Sequence, residues 1–224
     1  MIHYETPVNT IQTSEEDRLK RIQQYGILDT PAENDFDTIA LLAAEIFETQ
    51  NASIWFIDKE NIFFKSNLNI QETVRVSREH SLYAPVIFKQ EIAVFKNVLM
   101  QEDIRFFAAA PILTTDGFML GAISVNDHVP HLEVSNSQIK MLQLLSGMIM
   151  EKLEERFISR KIAQNYHERF HRLSHDIKNP VTSISLYAQL LGSREMSRDK
   201  VFSMAEKIEK SCRGIEKNLQ ELTG

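Results

Sequence analysis

Between Ser135 and Leu191 the chain holds one proline, Pro180, and one glycine, Gly147. A stretch of about 55 residues with so few breakers reads as one helix, roughly 80 Å long at 1.5 Å per residue. A helix of that length belongs to a coiled coil or a signalling helix rather than to a globular surface. Ser135 and Gln138 form a capping box at its start. Leu142, Leu145, Ile149, Leu153 and Phe157 then give it an apolar stripe. Further on the register tightens: Phe170, Leu173, Ile177, Pro180, Ile184, Tyr187 and Leu191 alternate steps of three and four, an a/d seam. Gly192 ends this helix and Ser197 caps the next, whose seam is Val201, Ala205, Ile208, Cys212, Ile215, Leu219 and Leu222. Two helices joined by a short loop run antiparallel, and one seam per helix cannot be buried by the hairpin alone. Pairing two copies into a four-helix bundle solves this, so the pattern predicts a symmetric homodimer.

That register also places a group of polar side chains. With Leu173 at d and Ile177 at a, His175 falls at f on the outward face, Asp176 at g, and Asn179 at c over the same exposed face. This placement argues against a buried structural histidine. Register alone leaves open whether His175 is reactive or an ordinary solvated residue. His167, His171 and His175 are also spaced as a ladder along one face, but no carboxylate or cysteine completes a closed metal set, so no metal site is expected.

The N-terminal half has a different texture. Residues 1–12 read as a loose tail, followed by a short helix from Ser14-Glu15-Glu16-Asp17 to a glycine C-cap at Gly26. Phe36, Ile39, Ala40, Ala43 and Phe47 mark a second helix. Ala52–Ile57 is an apolar run suited to a strand covered on both faces, with Ile62–Lys65 as its hairpin partner across 58–61. Residues 79–90 suggest a short helix over the sheet. Strands are expected at 92–98, 105–113 and 118–125, the last two joined by Thr115-Asp116-Gly117. The fold class is therefore α+β: a central antiparallel sheet flanked by helices, joined by the long helix to an all-α hairpin. The division expected is a tail at 1–13, a sensor-like domain at 14–134, a connecting helix at 135–165 and the hairpin at 166–224.

Bulk properties narrow the setting. A net charge of −6 gives no reason to expect nucleic acid as a partner. One cysteine, Cys212, rules out an internal disulfide framework and fits a reducing compartment. No signal-peptide pattern opens the chain and no apolar run approaches a membrane span, so a cytoplasmic protein is expected.

Two families are resembled. The phrases YGILDTPAENDFDTIALLAAEIF, IRFFAAAPI and DGFMLGAISVNDHVP, with the helix after them, resemble a GAF domain, a small-molecule or protein-interaction sensor module, over roughly residues 14–153. Where many such domains read Ser-Phe-Cys-Ala-His, this chain has Ser81-Leu82-Tyr83-Ala84-Pro85, so a thioether-linked chromophore is not expected and the GAF ligand is unknown. The segment between Val98 and Arg105 is shorter than in the family. His80, His128 and His131 match no ligand spacing and read as loop residues.

The segment Phe170-His171-Arg172-Leu173-Ser174-His175-Asp176-Ile177-Lys178-Asn179-Pro180-Val181 resembles the H-box of the dimerisation and phosphoacceptor (DHp, HisKA-type) domain of sensor histidine kinases. The resemblance implies that His175 is the phosphoacceptor, attacking the γ-phosphate of ATP. It implies that Asp176 accepts or orients the ring proton, and that Asn179 positions a water when a partner response regulator is dephosphorylated. Pro180 would bend the helix below the histidine. ATP and Mg²⁺ would come through an ATP-binding domain, in cis or in trans, and the phosphoryl group would pass to the receiver domain of a response regulator. No Gly-x-Gly-x-x-Gly or Walker-type loop occurs in the chain, which is expected to be a piece of a longer kinase with no autokinase activity alone. The alternatives are a non-catalytic GAF dimer for ligand sensing or scaffolding, and a stand-alone histidine phosphotransfer protein.

Overall fold

The computed structural model describes residues 8–68, 75–78, 83–96, 104–193 and 197–223. The chain divides into two compact units, Met1–Ile158 and Ser159–Gly224.

The first unit is built on a six-stranded sheet ordered β3-β2-β1-β6-β5-β4. Its strands are β1 (Asn51–Ile57), β2 (Asn61–Asn67), β3 (Arg75–Ser77), β4 (Ala93–Phe95), β5 (Phe106–Leu113) and β6 (Met119–Asp127). All neighbours pair antiparallel. The expected hairpins β1–β2 and β5–β6 are both present, the second turning through Gly117 at φ 87°. The apolar run of β1 is buried on both faces, as a continuous rather than alternating pattern predicts. Ala52, Ile54 and Phe56 meet one core, shared with Phe63, Phe106 and three helices. Trp55 and Ile57 meet a second core with Phe64, Tyr83, Val86, Ile87 and Phe107. Ser53 and Ser124 share a buried hydroxyl pair at 2.9 Å, and Trp55 Nε1 donates to Ser124 Oγ at 3.0 Å. Polar atoms at the sheet centre are thereby satisfied.

Three helices line the first core: α1 (Val8–Tyr25), α2 (Asn34–Phe47) and the first turns of α4 (Asn136–Ser193). The helical face proposed for α2, Phe36, Ile39, Ala40, Ala43 and Phe47, is the buried one. So is Leu142, Leu145, Ile149 and Leu153 of α4, with Phe157 packed at its edge. Gly26 closes α1 in the left-handed region, its N–H meeting the carbonyls of Ile22 and Gln23. The capping box at Ser135 is formed in both directions, Gln138 N to Ser135 Oγ at 3.1 Å and Ser135 N to Gln138 Oε1 at 2.9 Å.

Some expectations need correction. The helix α1 starts at Val8, inside the stretch read as a loose tail, because nothing from Val8 to Thr13 breaks a helix. The edge strand β3 was not foreseen; it has three residues, two of them polar, too few for an alternation to register. The expected strand at 92–98 is β4, Ala93–Phe95, and the short helix over the sheet is α3, Ala84–Lys89. His80, Ser81, Leu82 and residues 97–103 lie outside the described residues.

A polar network ties the sheet to two helices. The ammonium of Lys65, fully buried on β2, reaches Thr30 Oγ1 at 2.7 Å, the Pro31 carbonyl at 2.5 Å and Glu33 Oε1 at 2.5 Å. Glu33 also receives Arg156 of α4, with contacts of 2.8 and 3.0 Å. Burial alone would raise the Glu33 carboxyl, but the hydrogen bonds and charges of Lys65 and Arg156 outweigh it and hold the group below its ordinary value.

In the second unit, the rest of α4 and α5 (Arg198–Thr223) form a helical hairpin. Backbone N–H groups of Lys200 and Val201 meet the Ser197 carbonyl, as expected for a cap. Of the proposed α4 seam, Leu173, Ile177, Pro180, Ile184, Tyr187 and Leu191 are half-buried, whereas Phe170 is exposed. On α5 the stripe that faces inward is Met204, Ile208, Ser211, Ile215 and Asn218. Only Ile208 and Ile215 belong to the proposed seam; Val201, Ala205, Cys212 and Leu219 lie exposed on the neighbouring face, and the Leu222 side chain lies outside the described residues. The apolar residues of α5 occupy two adjacent stripes, and one partner helix covers one of them.

Two outcomes test this packing. At Gly121, a Cβ would lie 1.9 Å from the Trp55 carbonyl oxygen, so Gly121→Ala should destabilise the sheet unit by roughly 3 kcal/mol or more in denaturant titrations followed by the single, buried Trp55. Because Glu33 titrates below its ordinary 4.5 when folded, its contribution is present above that value and is lost as pH falls through the lowered one. Glu33→Gln should therefore cost about 1 kcal/mol at neutral pH and flatten the acid limb of the stability profile; an unchanged acid limb would count against the network.

Candidate functional site

His175, Asp176 and Asn179 share one exposed turn of α4, as the heptad register required. The side chains of His175 and Asp176 keep 67% and 51% of their surface in solvent. The Asp176 carboxylate stands 3.5 Å from His175 Nδ1, and the Asn179 carboxamide nitrogen stands 3.4 Å from the same atom. Among the described residues, both ring contacts thus converge on Nδ1, and none is made by Nε2.

This convergence has a chemical consequence. A carboxylate only accepts, so its contact with Nδ1 requires a proton there and leaves the lone pair on Nε2. Facing the ring with its NH₂, Asn179 instead requires a bare Nδ1 and a protonated, non-nucleophilic Nε2. Asp176 and Asn179 therefore favour opposite tautomers of one imidazole. The first is a nucleophile open to solvent on Nε2, with an acceptor waiting for the proton on the far nitrogen.

The backbone beneath the histidine is irregular by composition. A helical N–H at position 180 would bond the Asp176 carbonyl, and Pro180 has none. In the next turn, Thr182 Oγ1 donates to the Lys178 carbonyl at 2.8 Å and Ser183 Oγ to the Asn179 carbonyl at 3.1 Å. The Asp176 carbonyl instead receives Asn218 Nδ2 from α5 at 3.3 Å. Sequence reasoning missed Asn218 because it assigned the inner face of α5 to Leu219. The available signal was the carbonyl that Pro180 leaves without a backbone donor.

Among the described residues no group of three or more His, Cys, Asp or Glu side chains is disposed to hold a metal ion, and no helix is long and apolar enough to cross a membrane. A shallow cavity of about 480 Å³ opens in the first unit between Gln90, Ile92, Pro111, Leu113 and Gln143. None of the expected site residues lines it.

Residues 168–223 match the family model of the His Kinase A (phospho-acceptor) domain. That matched segment holds His175, Asp176, Asn179 and Asn218. The chain is 26% identical over 150 residues to a cyclic di-GMP phosphodiesterase of Pseudomonas aeruginosa, a match covering 62% of this chain. It spans 26% of the length of that relative. Among solved structures it is similar to the GAF domain of an Acinetobacter phosphoenolpyruvate-protein phosphotransferase, at TM-score 0.48 and 16% identity, covering 63% of this chain and 93% of the other. It is also similar to a domain assigned to a two-component sensor histidine kinase protein of Sinorhizobium meliloti 1021, at TM-score 0.45 and 19% identity, covering 59% and 99%.

Proposed function

We propose that this chain is the GAF sensor and phosphoacceptor portion of a two-component histidine kinase. The observation that carries the reading is the solvent-facing His175 ring, held at Nδ1 by Asp176 inside a segment that matches a phosphoacceptor family model. In the forward step Nε2 attacks the γ-phosphorus of ATP, a P–N bond forms, the bond to the ADP oxygen breaks, and Asp176 takes or stabilises the Nδ1 proton. The nucleotide and Mg²⁺ are brought by an ATP-binding domain, in cis or in trans, because the exposed face of α4 offers a nucleophile and no phosphate cradle. The phosphoryl group then passes from His175 to an aspartate on a response-regulator receiver domain. In the reverse mode Asn179 positions a water against that regulator's acyl phosphate, and its contact with Nδ1 keeps Nε2 protonated and out of the way.

Two copies of the chain work together in this reading. The exposed apolar residues Val201, Phe202 and Leu219 of α5, with Val181 and Leu186 of α4, need a cover, and a second hairpin of the same sequence supplies it as a four-helix bundle. The setting is the cytoplasm, for which the single free thiol, Cys212, is the support.

The test is transfer of label from ATP. With the ATP-binding domain of its own kinase added in trans, the chain should acquire acid-labile, base-stable phosphate, and His175→Ala should abolish it. Equal labelling of His175→Ala would sink the proposal.

A further inference from the structure

Pro180 creates a specific deficit in α4. The acceptor it orphans is the carbonyl of Asp176, the residue whose side chain meets the His175 ring. The proline ring also crowds that carbonyl. Within the described residues its donor is a side chain 42 positions away, Asn218 Nδ2, at 3.3 Å. The carbonyls of Lys178 and Asn179 receive Thr182 and Ser183 from within α4, whereas the Asp176 carbonyl receives its side-chain donor from across the hairpin.

The position of Asn218 makes the bond informative. It continues the inner stripe of α5, where Ile208 and Ile215 pack towards α4 and an apolar side chain would bury more surface. A half-buried carboxamide there is worth its desolvation only if it is paired. We propose that Asn218 is a positioning residue for the chemistry of His175: its amide stands in for the backbone N–H that Pro180 lacks, and so fixes the turn of α4 from which Asp176 and Asn179 meet Nδ1. Both ring contacts sit near the outer limit for a hydrogen bond, 3.5 and 3.4 Å, so a small shift of this turn decides which of them is made. This inference rests on the phosphoacceptor reading of His175.

The experiment uses the whole chain and phosphoramidate, a small phosphodonor that needs no ATP-binding domain. Nε2 forms a bond to phosphorus, the phosphoramidate P–N bond breaks, and the departing ammonia takes up the Nδ1 proton to leave as ammonium. The readouts are the rate of phosphate appearance at His175, followed by peptide mass spectrometry, and the ¹⁵N shifts of the His175 ring, which report its tautomer. Asn218→Leu keeps the shape and removes the donor. It should slow labelling roughly three- to tenfold and shift the tautomer balance. Asn218→Gln, which retains an amide donor, should recover part of the rate. In a Pro180→Ala background the Asp176 carbonyl regains its helical N–H, so adding Asn218→Leu should there change little. Equal effects of Asn218→Leu in both backgrounds, or wild-type rate and ring shifts in the single variant, would overturn the proposal. If Asn218→Leu does not fold, Asn218→Asp, whose carboxylate cannot donate, replaces it with the same expected outcomes. Wild-type chain that takes no phosphate at His175 would defeat the phosphoacceptor reading instead, and the ring shifts would still decide whether Asn218 positions the imidazole.

Discussion

One unbroken helix, α4, has to satisfy two different neighbourhoods, and the remaining features follow from how it does so. Its early turns bury Leu142, Leu145, Ile149 and Leu153 in the core of the sheet unit. Its late turns present Leu173, Ile177, Ile184, Tyr187 and Leu191 to α5. A helix whose apolar side is spoken for by α5 has one place left for reactive polar groups, its outer face, and His175, Asp176 and Asn179 occupy it. Exposure suits a nucleophile whose reaction partners are large and must come and go.

The same helix also carries a deliberate defect. Proline in a helix interior costs about 3 kcal/mol through the lost hydrogen bond and the ring clash, yet Pro180 sits one turn below the histidine. Thr182, Ser183 and Asn218 donate to carbonyls of this turn, so the irregular segment is held rather than frayed. The turn around Pro180 and the His175 ring are thus linked by side-chain hydrogen bonds. The competing contacts at Nδ1 favour two tautomers of the imidazole that differ in which nitrogen is nucleophilic.

Much of this was legible because it rests on period and on local chemistry. The continuous apolar run of β1, the Asp-Gly turn before β6, the capping box at Ser135 and the outward register of His175 each depend on residues within a few positions of one another. What escaped depends on long-range geometry. The three-residue edge strand β3 exists through pairing with β2. The inner stripe of α5 could not be told from its neighbour, because Val201, Ala205, Cys212 and Leu219 repeat with the same spacing as Met204, Ser211 and Asn218. Choosing between them requires knowing which face meets α4, and it was the polar members, Ser211 and Asn218, that turned inward. The buried Lys65 network was likewise invisible, since Thr30, Glu33 and Arg156 converge on one ammonium only in the fold.

His175 is proposed to react through Nε2 because its helix neighbours engage Nδ1. The most direct measurement is the position of phosphorus on the ring, read from ¹H–¹⁵N–³¹P couplings in the phosphorylated chain. A phosphohistidine at residue 175 substituted on Nε2 is the expected result. Phosphorus on Nδ1, or on a histidine other than His175, would contradict it.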